Sequence, residues 1–575
     1  MTPNQVIVLA TPVFLLLIAI EFWVGRRRRR NTYALADTFS SIGLGMLSRI
    51  ADVFTFALRL GIYVWVQDHA ALWRNDGFWT SSAGWLLALV FYDFLYYWNH
   101  RLGHEVGLLW AAHVVHHQSQ HYNLSTALRQ PASYALLGWV FYLPMALAGV
   151  PPLVFAVVGL VDLLYQFWIH TEQVGSLGRF DRWFASPSNH RVHHAVNDRY
   201  LDKNYGGILM LWDHLFGSFE PEDPEEPCVY GTRKPLQSWD PVWANAEVYA
   251  GLARDSARTG RWGDRLRTWI KPPGWRAPDV AARWPTPAFD LGAVQRFDPP
   301  ASRGAQALAA LVFVLLLGGV AFFLWTADAR ALPGNLAWTA ALLAGLWAQG
   351  ALLQGRIGPG MVLMVLSAAL ATLAAAEGWT ELHRVFKPLT MLVVIGLVLR
   401  ADVRHKGWLL AALAGSLAGD AFLMFEGFFI AGLASFLLAH LAYIARLRSD
   451  APWFADRRAL GAVGAVGLVM YALLWSGGPW SGGLPPGLRA PVAAYVLVIA
   501  LMVSQALGRA RVHADPAAWR VAAGALCFML SDTLLATDRF LVPLPARDLL
   551  VLATYYAAQC LMVAGLLGKA PRQGT

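Results

Sequence analysis

The 575-residue chain is 57% hydrophobic and only 14% charged, with a formal net charge of +9. Ordinary soluble domains run near a quarter charged, so this balance points to lipid. Much of the positive charge lies in Arg26–Arg30, directly behind an apolar run, where it reads as a topology signal; with no soluble basic domain, nucleic acid is not an expected partner.

In chain order, Val6–Val24 is the first run long enough to cross a hydrocarbon core of roughly 30 Å. It lacks a basic segment before it and a small-residue cleavage site after it, so it is expected to remain as a span. With Arg26–Arg30 on the cytoplasmic side, Phe39–Val66 returns outward and Trp85–Trp98 comes back, which leaves His100 at a cytoplasmic helix end. An apolar hairpin, Tyr134–Val150 and Leu153–Trp168, turns at Pro151-Pro152 and ends near His170. From Thr171 to about Arg303 the chain is polar and has no spanning run. Two spans follow, Gln306–Trp325 and Leu336–Gln349.

After Gly355 eight apolar segments begin near Met361, Phe386, Trp408, Phe428, Leu460, Pro491, Trp519 and Leu549. Basic connections (Arg400–Lys406, Arg446–Arg458, Arg509–Arg511, and the tail with Lys569 and Arg572) alternate with Gly/Pro-rich or mixed-charge ones such as Ser476–Pro491. The same orientation therefore satisfies the positive-inside rule along the chain. The expectation is an all-α polytopic membrane protein with two helical modules, 1–355 and 356–575. Cys228, Cys527 and Cys560 are scattered and predict neither a disulfide nor a thiolate metal site.

Histidine carries the chemistry. His100 and His104 form H-x3-H, and His113, His116 and His117 form H-x2-HH. His190, His193 and His194 repeat H-x2-HH. Residues at i, i+3 and i+4 share a helix face, so each cluster is expected to aim its imidazoles at one point. A lone histidine at a helix end is most often a surface or core residue. Eight in matched clusters, at one membrane face, exceed what one tetrahedral zinc needs and suit two redox metals with positions open to O2.

HRLGH, HVVHH and HRVHH resemble the signature of the fatty acid hydroxylase/sterol desaturase superfamily. The surrounding text, FYDFLYYWNHRLGHEVGLLWAAHVVHHQSQHYNLSTALRQ, YQFWIHTE and SNHRVHHAVNDRYLDKNYGGILMLWDHLFGSFE, is similar within it to the ether-lipid-cleaving alkylglycerol monooxygenases, over roughly residues 5–350 with the motifs in 93–219. The resemblance implies a cytoplasmic di-iron site in which the eight motif histidines are iron ligands and His170 is a ninth. It implies that Glu105 is an acid needed for activity. Asp93, Asn204 and Asp213 sit at polar family positions, where orienting ligand imidazoles and plain capping or packing are both open readings. Gln120 stands where relatives tend to carry an acid, and neither it nor His121 is given a role. The implied partners are a bilayer lipid, O2 and an electron donor, which is tetrahydrobiopterin in the animal enzyme; a ferredoxin or other reductant would serve the same chemistry. The expected reaction hydroxylates the carbon beside the ether oxygen, after which the hemiacetal collapses to a fatty aldehyde.

In the second module, ionisable groups inside apolar spans stand out, because charge at membrane depth costs about 2.5–3.5 kcal/mol on insertion scales. These are Asp420, Asp532 and His440, with Tyr443 one turn from His440. Asp420 and Asp532 fall at similar depth and suit acid–base work, with helix packing or a proton pathway as the other reading. Gly415 and Gly419 are explained by close helix packing. FKPLTMLVVIGL, AGSLAGDAFLM, AGLASFLLAHLAYI, LSDTLLATDRF and TYYAAQCLMVAGL resemble the YhhN family, which includes the lysoplasmalogenases. Lys387, Asp420, His440, Tyr443, Asp532 and Tyr556 occupy its motif positions, and the implied reaction is vinyl-ether hydrolysis. Two other functions remain open: a hydroxylase or desaturase of a sterol, fatty acid or other lipid, and a second module that only binds or transports lipid. A bacterial inner membrane is the expected location.

Overall fold

The computed structural model describes residues 2–477 and 482–567, so Lys569 and Arg572 of the basic tail lie outside the described residues. The described chain is helical, with no β-sheet and two isolated bridges, Phe184 with Leu209 and Ala195 with Tyr230. Eleven of its helices are long and apolar enough to cross a membrane, and the molecule is an integral membrane protein. Ser82–Glu105 and Lys406–Leu423, which the sequence reading also takes as spans, are not among the eleven. The first ends in polar Asn99, His100 and His104, and the second contains Lys406 and Asp420.

The chain divides into two compact units, Met1–Asp328 with Gln349–Arg356, and Ala329–Ala348 with Ile357–Thr575. The sequence reading places both spans before Gly355 in the first module, whereas residues 329–348 cluster with the second unit. The division runs through helix Leu332–Leu353.

In the first unit, helix Pro3–Arg27 buries only Ile18, Glu21 and Gly25, a stripe at i, i+3 and i+7. Helix Ser82–Glu105 carries HRLGH at its end, and helix Gly107–His117 restarts after one extended residue, Val106, to carry HVVHH. The restart packs tightly: a Cβ on Gly107 would lie 3.1 Å from the Thr268 carbonyl oxygen. Helix Pro187–His193, capped by Ser186, carries HRVHH with the last histidine, His194, at its C-cap. The expected hairpin differs in its first arm. Pro152–Trp168 is one helix, but the preceding arm breaks into Tyr134–Leu137, a 3-10 turn Gly138–Tyr142, and Leu143–Leu147. Pro144 has no amide to continue an α-helical ladder, and Gly138 sits so close to Asn99 and Tyr134 that a Cβ would meet the Tyr134 ring at 2.9 Å.

The second unit contains eight consecutive helices from Pro359–Ala376 to Arg547–Leu567, each holding one of the expected apolar segments. Most sequential neighbours pack as hairpins; Phe429–Arg448 packs onto Pro486–His513 rather than its next neighbour, and the first helix also contacts the last. Gly415 and Gly419 do serve close packing. Cβ atoms there would lie 3.0 Å from the Ser435 carbonyl oxygen and 2.5 Å from the Phe436 ring.

Candidate metal centre and a second polar cavity

Nine buried histidines form two groups, His100, His104, His113, His117 and His193 in one, and His116, His170, His190 and His194 in the other. Within each group the ligating atoms lie within 4.8 Å of one another. This corrects the expectation that each motif converges on one point. His113 and His117 share a group while His116 crosses to the other, and His190 and His194 share a group while His193 crosses back. Consecutive helical residues are about 100° apart around the axis, so an HH pair faces two directions. Each H-x2-HH motif therefore straddles both groups, which meet where the His117 and His194 rings stack at 4.4 Å.

Backbone carbonyls aim the rings. The Nδ1–H of His100 donates to Tyr205 O at 2.9 Å, that of His193 to Lys203 O at 2.9 Å, that of His116 to Arg129 O at 3.0 Å, and that of His170 to Gln166 O at 2.8 Å. A carbonyl only accepts, so in each ring the proton is on Nδ1 and Nε2 keeps a lone pair. Asp202 Oδ1 lies 3.5 Å from His104 Nδ1, so the segment 202–205 orients three members of the five-histidine group. Left-handed backbone at Asp202 and Asn204 (φ +57° each) shapes that segment.

The three polar residues singled out in the sequence hold this frame rather than touching an imidazole. Asn204 Nδ2 donates to the carbonyls of Asn189 and Glu220 at 3.1 and 2.7 Å. Asp213 accepts from the amides of Tyr205 and Gly206, both at 2.8 Å. Asp93 accepts from Ile208 N at 2.7 Å and Trp212 Nε1 at 2.8 Å. Glu105 stands apart from both groups, in a 2.9 Å ion pair with Arg101 and 41% exposed. Gln120 ties to the backbone of Gln295 and Phe297 at 3.0 and 2.7 Å.

The donor set fits metal. Nε2 of His100, His104 and His193 is buried without a partner, a costly state for a polar atom unless something binds it. Elsewhere Nε2 atoms face each other: His113 and His117 at 3.1 Å, His116 and His170 at 3.2 Å, His170 and His190 at 3.0 Å, His190 and His194 at 3.2 Å. Adjacent ligands of an ion with metal–nitrogen bonds of about 2.1 Å are separated by about 3 Å. Burial, reinforced by neighbouring imidazoles, holds His113, His117, His190, His193 and His194 well below the ordinary histidine range, and burial takes His116 to about 4. Neutral imidazole is the form that binds metal, and it is compatible with iron.

Several supporting residues fall outside the set of candidates read from the sequence. Arg129 is fully buried; its Nε donates to Val115 O at 2.7 Å, and burial lowers its pKa to about 10. Arg191 grips Glu222 through Nε at 2.8 Å and Nη2 at 2.6 Å. Glu21, inside the first span, accepts from Tyr33, from Thr171 beside His170, and from Leu124 N at 2.8 Å. The reasoning that flags Asp420 and Asp532 as intramembrane charges would also have found Glu21.

In the second unit Asp420 and Asp532 line one cavity of about 360 Å³, whose walls include Phe436, Met470, Leu474 and Val496. Asp420 accepts from Tyr555 OH at 2.6 Å and lies 3.5 Å from Lys387 Nζ. Asp532 accepts from Tyr495 OH at 2.6 Å, with His440 Nε2 at 3.4 Å. Tyr443 is not on this wall; its hydroxyl donates to Gln559 at 2.7 Å. Neither Tyr495 nor Tyr555 is a candidate from the sequence, and Tyr555, not its motif neighbour Tyr556, meets Asp420.

A helical membrane scaffold carrying two histidine groups defines the class of a membrane fatty acid hydroxylase, and the comparisons with known proteins agree. The fatty acid hydroxylase profile matches residues 85–218, and the YhhN family profile matches residues 382–566. Human alkylglycerol monooxygenase is 38% identical over 269 residues, 46% of this chain and 59% of the relative, so the chain spans about three fifths of that protein. The zebrafish (Danio rerio) alkylglycerol monooxygenase is 38% identical over 315 residues, 54% of this chain and 68% of the relative. Pig (Sus scrofa) lysoplasmalogenase TMEM86B is 36% identical over 177 residues, 30% of this chain and 70% of the relative. No solved structure matches the chain. The chain belongs to the fatty acid hydroxylase family, with the alkylglycerol monooxygenases, and through its second half to the YhhN family of the lysoplasmalogenases.

Proposed function

We propose that the first unit is a di-iron monooxygenase that hydroxylates the ether-adjacent carbon of an alkylglycerol, releasing a fatty aldehyde. The observation that carries this reading is the convergence of nine imidazoles into two touching groups, four of them with Nδ1–H held by backbone carbonyls so that the Nε2 lone pair is left for a metal. One ion would be held by the five-histidine group and the other by the four-histidine group. Iron bound there would supply the activation of O2. The chain's own part is to fix imidazole direction through the carbonyls of Lys203, Tyr205, Arg129 and Gln166, and to keep water from a buried site. Tetrahydrobiopterin is the electron donor that the family resemblance supports. The charge bias at Arg26–Arg30 supports a cytoplasmic face for the site.

The second unit is read as a hydrolase of vinyl ethers in lysophospholipids, with Asp420 and Asp532 acting in the shared cavity. Both reactions release a fatty aldehyde, so the fusion serves ether-lipid breakdown.

The test is aldehyde release by detergent-purified, iron-loaded protein given 1-O-alkylglycerol, O2 and tetrahydrobiopterin, with His116→Ala beside it. Aldehyde that requires O2, pterin and His116 supports the reading. Iron present at about two per chain with no aldehyde moves the substrate to another lipid or the donor to another reductant.

A further inference from the structure

The two carboxylates of the second cavity sit in opposite electrostatic settings, and their settings divide the labour between them. Asp420 is the more buried, with its side chain 3% exposed. It has the Lys387 ammonium 3.5 Å from Oδ1 and the Tyr555 hydroxyl donating to Oδ2 at 2.6 Å. Burial works against charge on Asp420, and a cation and a donor, one on each oxygen, oppose that cost and favour the ionised carboxylate.

Asp532 has a neutral surround. Its Oδ2 accepts from Tyr495 OH at 2.6 Å. His440 Nε2 lies 3.0 Å from that hydroxyl and 3.4 Å from Oδ2. The Tyr495 proton is committed to Asp532, so the His440 proton belongs on Nε2. His440 Nδ1 is then a bare acceptor, in keeping with its burial without a donor. Among the described residues no lysine or arginine pairs with Asp532, and its side chain is 20% exposed, toward the cavity it lines. Other charged groups on that wall are His383, Arg384, Arg539, Arg547 and Asp548. Arg384 pairs with Glu381 at 2.8 Å, Arg547 with Asp538 at 2.9 Å and Asp548 at 3.5 Å, and Arg539 lies over the Phe429 ring at 4.0 Å.

We propose that Asp532 is the general acid and Asp420 the general base of vinyl-ether hydrolysis, with Lys387 and Tyr555 positioning Asp420 as the carboxylate and Tyr495 and His440 leaving Asp532 Oδ1 free to carry the proton. This rests on the hydrolase reading of the second unit. The Oδ1–H bond of Asp532 breaks as its proton forms a C–H bond at the vinyl carbon distal to oxygen, which leaves an oxocarbenium ion. Water adds to that ion's carbon and loses a proton to Asp420, giving a hemiacetal. The carbon–oxygen bond to the glycerol then breaks. Asp420 returns its proton to the departing oxygen, and the hemiacetal hydroxyl proton passes to Asp532. One water is consumed, an aldehyde and an alcohol leave, and both carboxyls end as they began.

The experiment is the pH–rate profile for aldehyde release from a 1-alkenyl lysophospholipid by the full-length protein and its Lys387→Met variant. The base must be ionised, so its ionisation sets the acidic limb, and the acid's sets the basic limb. Loss of the Lys387 cation makes Asp420 harder to ionise, so the acidic limb should move to higher pH by about one unit or more while the basic limb stays. Tyr555→Phe should move the same limb in the same direction, and it replaces Lys387→Met if that variant does not fold. Tyr495→Phe should raise the basic limb. A shift of the basic limb in Lys387→Met overturns the assignment and reverses the roles. Wild-type protein that releases no aldehyde from the vinyl ether overturns the hydrolase reading itself.

Discussion

His116 Nε2 lies 3.2 Å from His170 Nε2 while both rings donate Nδ1–H to backbone carbonyls, of Arg129 and Gln166. Two bare lone pairs therefore face each other inside the protein, an arrangement that a shared cation relieves. His170 lies outside the H-x2-HH and H-x3-H motifs, yet it completes the four-histidine group. His170→Ala should lower bound iron from about two to about one per chain, with the five-histidine ion retained. Iron analysis and Mössbauer spectra of the purified variant check this; unchanged iron content would remove His170 from the ligand set.

Asp213 touches no imidazole, but it accepts from the amides of Tyr205 and Gly206, and the Tyr205 carbonyl aims His100. Burial raises its pKa to about 6 against the pull of those donors. Asp213→Asn should keep the fold and weaken metal affinity by about 10–100-fold, the range for outer ligands of metal sites. Chelator competition measures it, and wild-type affinity would assign Asp213 to packing alone.

The imidazoles of His113, His116, His117, His190, His193 and His194 are depressed by burial, His116 to about 4. Unfolded histidine titrates near about 6.5, so the unfolded chain takes up protons first as pH falls. The stability is present above about 6.5 and drains away as pH falls below it, His116 alone losing on the order of 3 kcal/mol by the time pH passes about 4. Metal-free protein should lose tertiary signal across that window, and bound metal should move the transition to lower pH. Near-UV circular dichroism against pH, with and without iron, checks both.

Separation of function follows from where the side chains lie. Asp532→Asn should abolish aldehyde release from vinyl ethers and leave the O2-dependent release from alkylglycerols intact. His116→Ala should do the reverse. The two assays on the two variants are sufficient, and loss of both activities in either one would point to misfolding or to a single shared site.

Gly45 marks a close approach that helps place the metal centre. A Cβ there would lie 2.4 Å from the carbonyl oxygen of Leu128, next to Arg129, whose own carbonyl aims His116. Gly45→Ala must displace backbone, so it should cost about 1–3 kcal/mol. A lowered melting temperature in detergent, together with weaker metal binding, is the expected result.

The sequence by itself determined the membrane class, most of the helical segments and the three histidine clusters, because apolar run length and motif spacing are local properties. It also disclosed the close contact at Gly415 and Gly419, where two small residues four apart share a helix face. Only the tertiary structure decided how histidines are shared. The direction of an imidazole depends on its helix axis and on a carbonyl contributed from elsewhere, as Lys203 and Tyr205 serve His193 and His100. For the same reason Arg129, Tyr495 and Tyr555 could not be given roles, although Arg129 and Tyr555 fall within the quoted motifs. Their partners lie 14, 37 and 135 residues away, and hydrogen bonds over such separations exist only once the helices are packed.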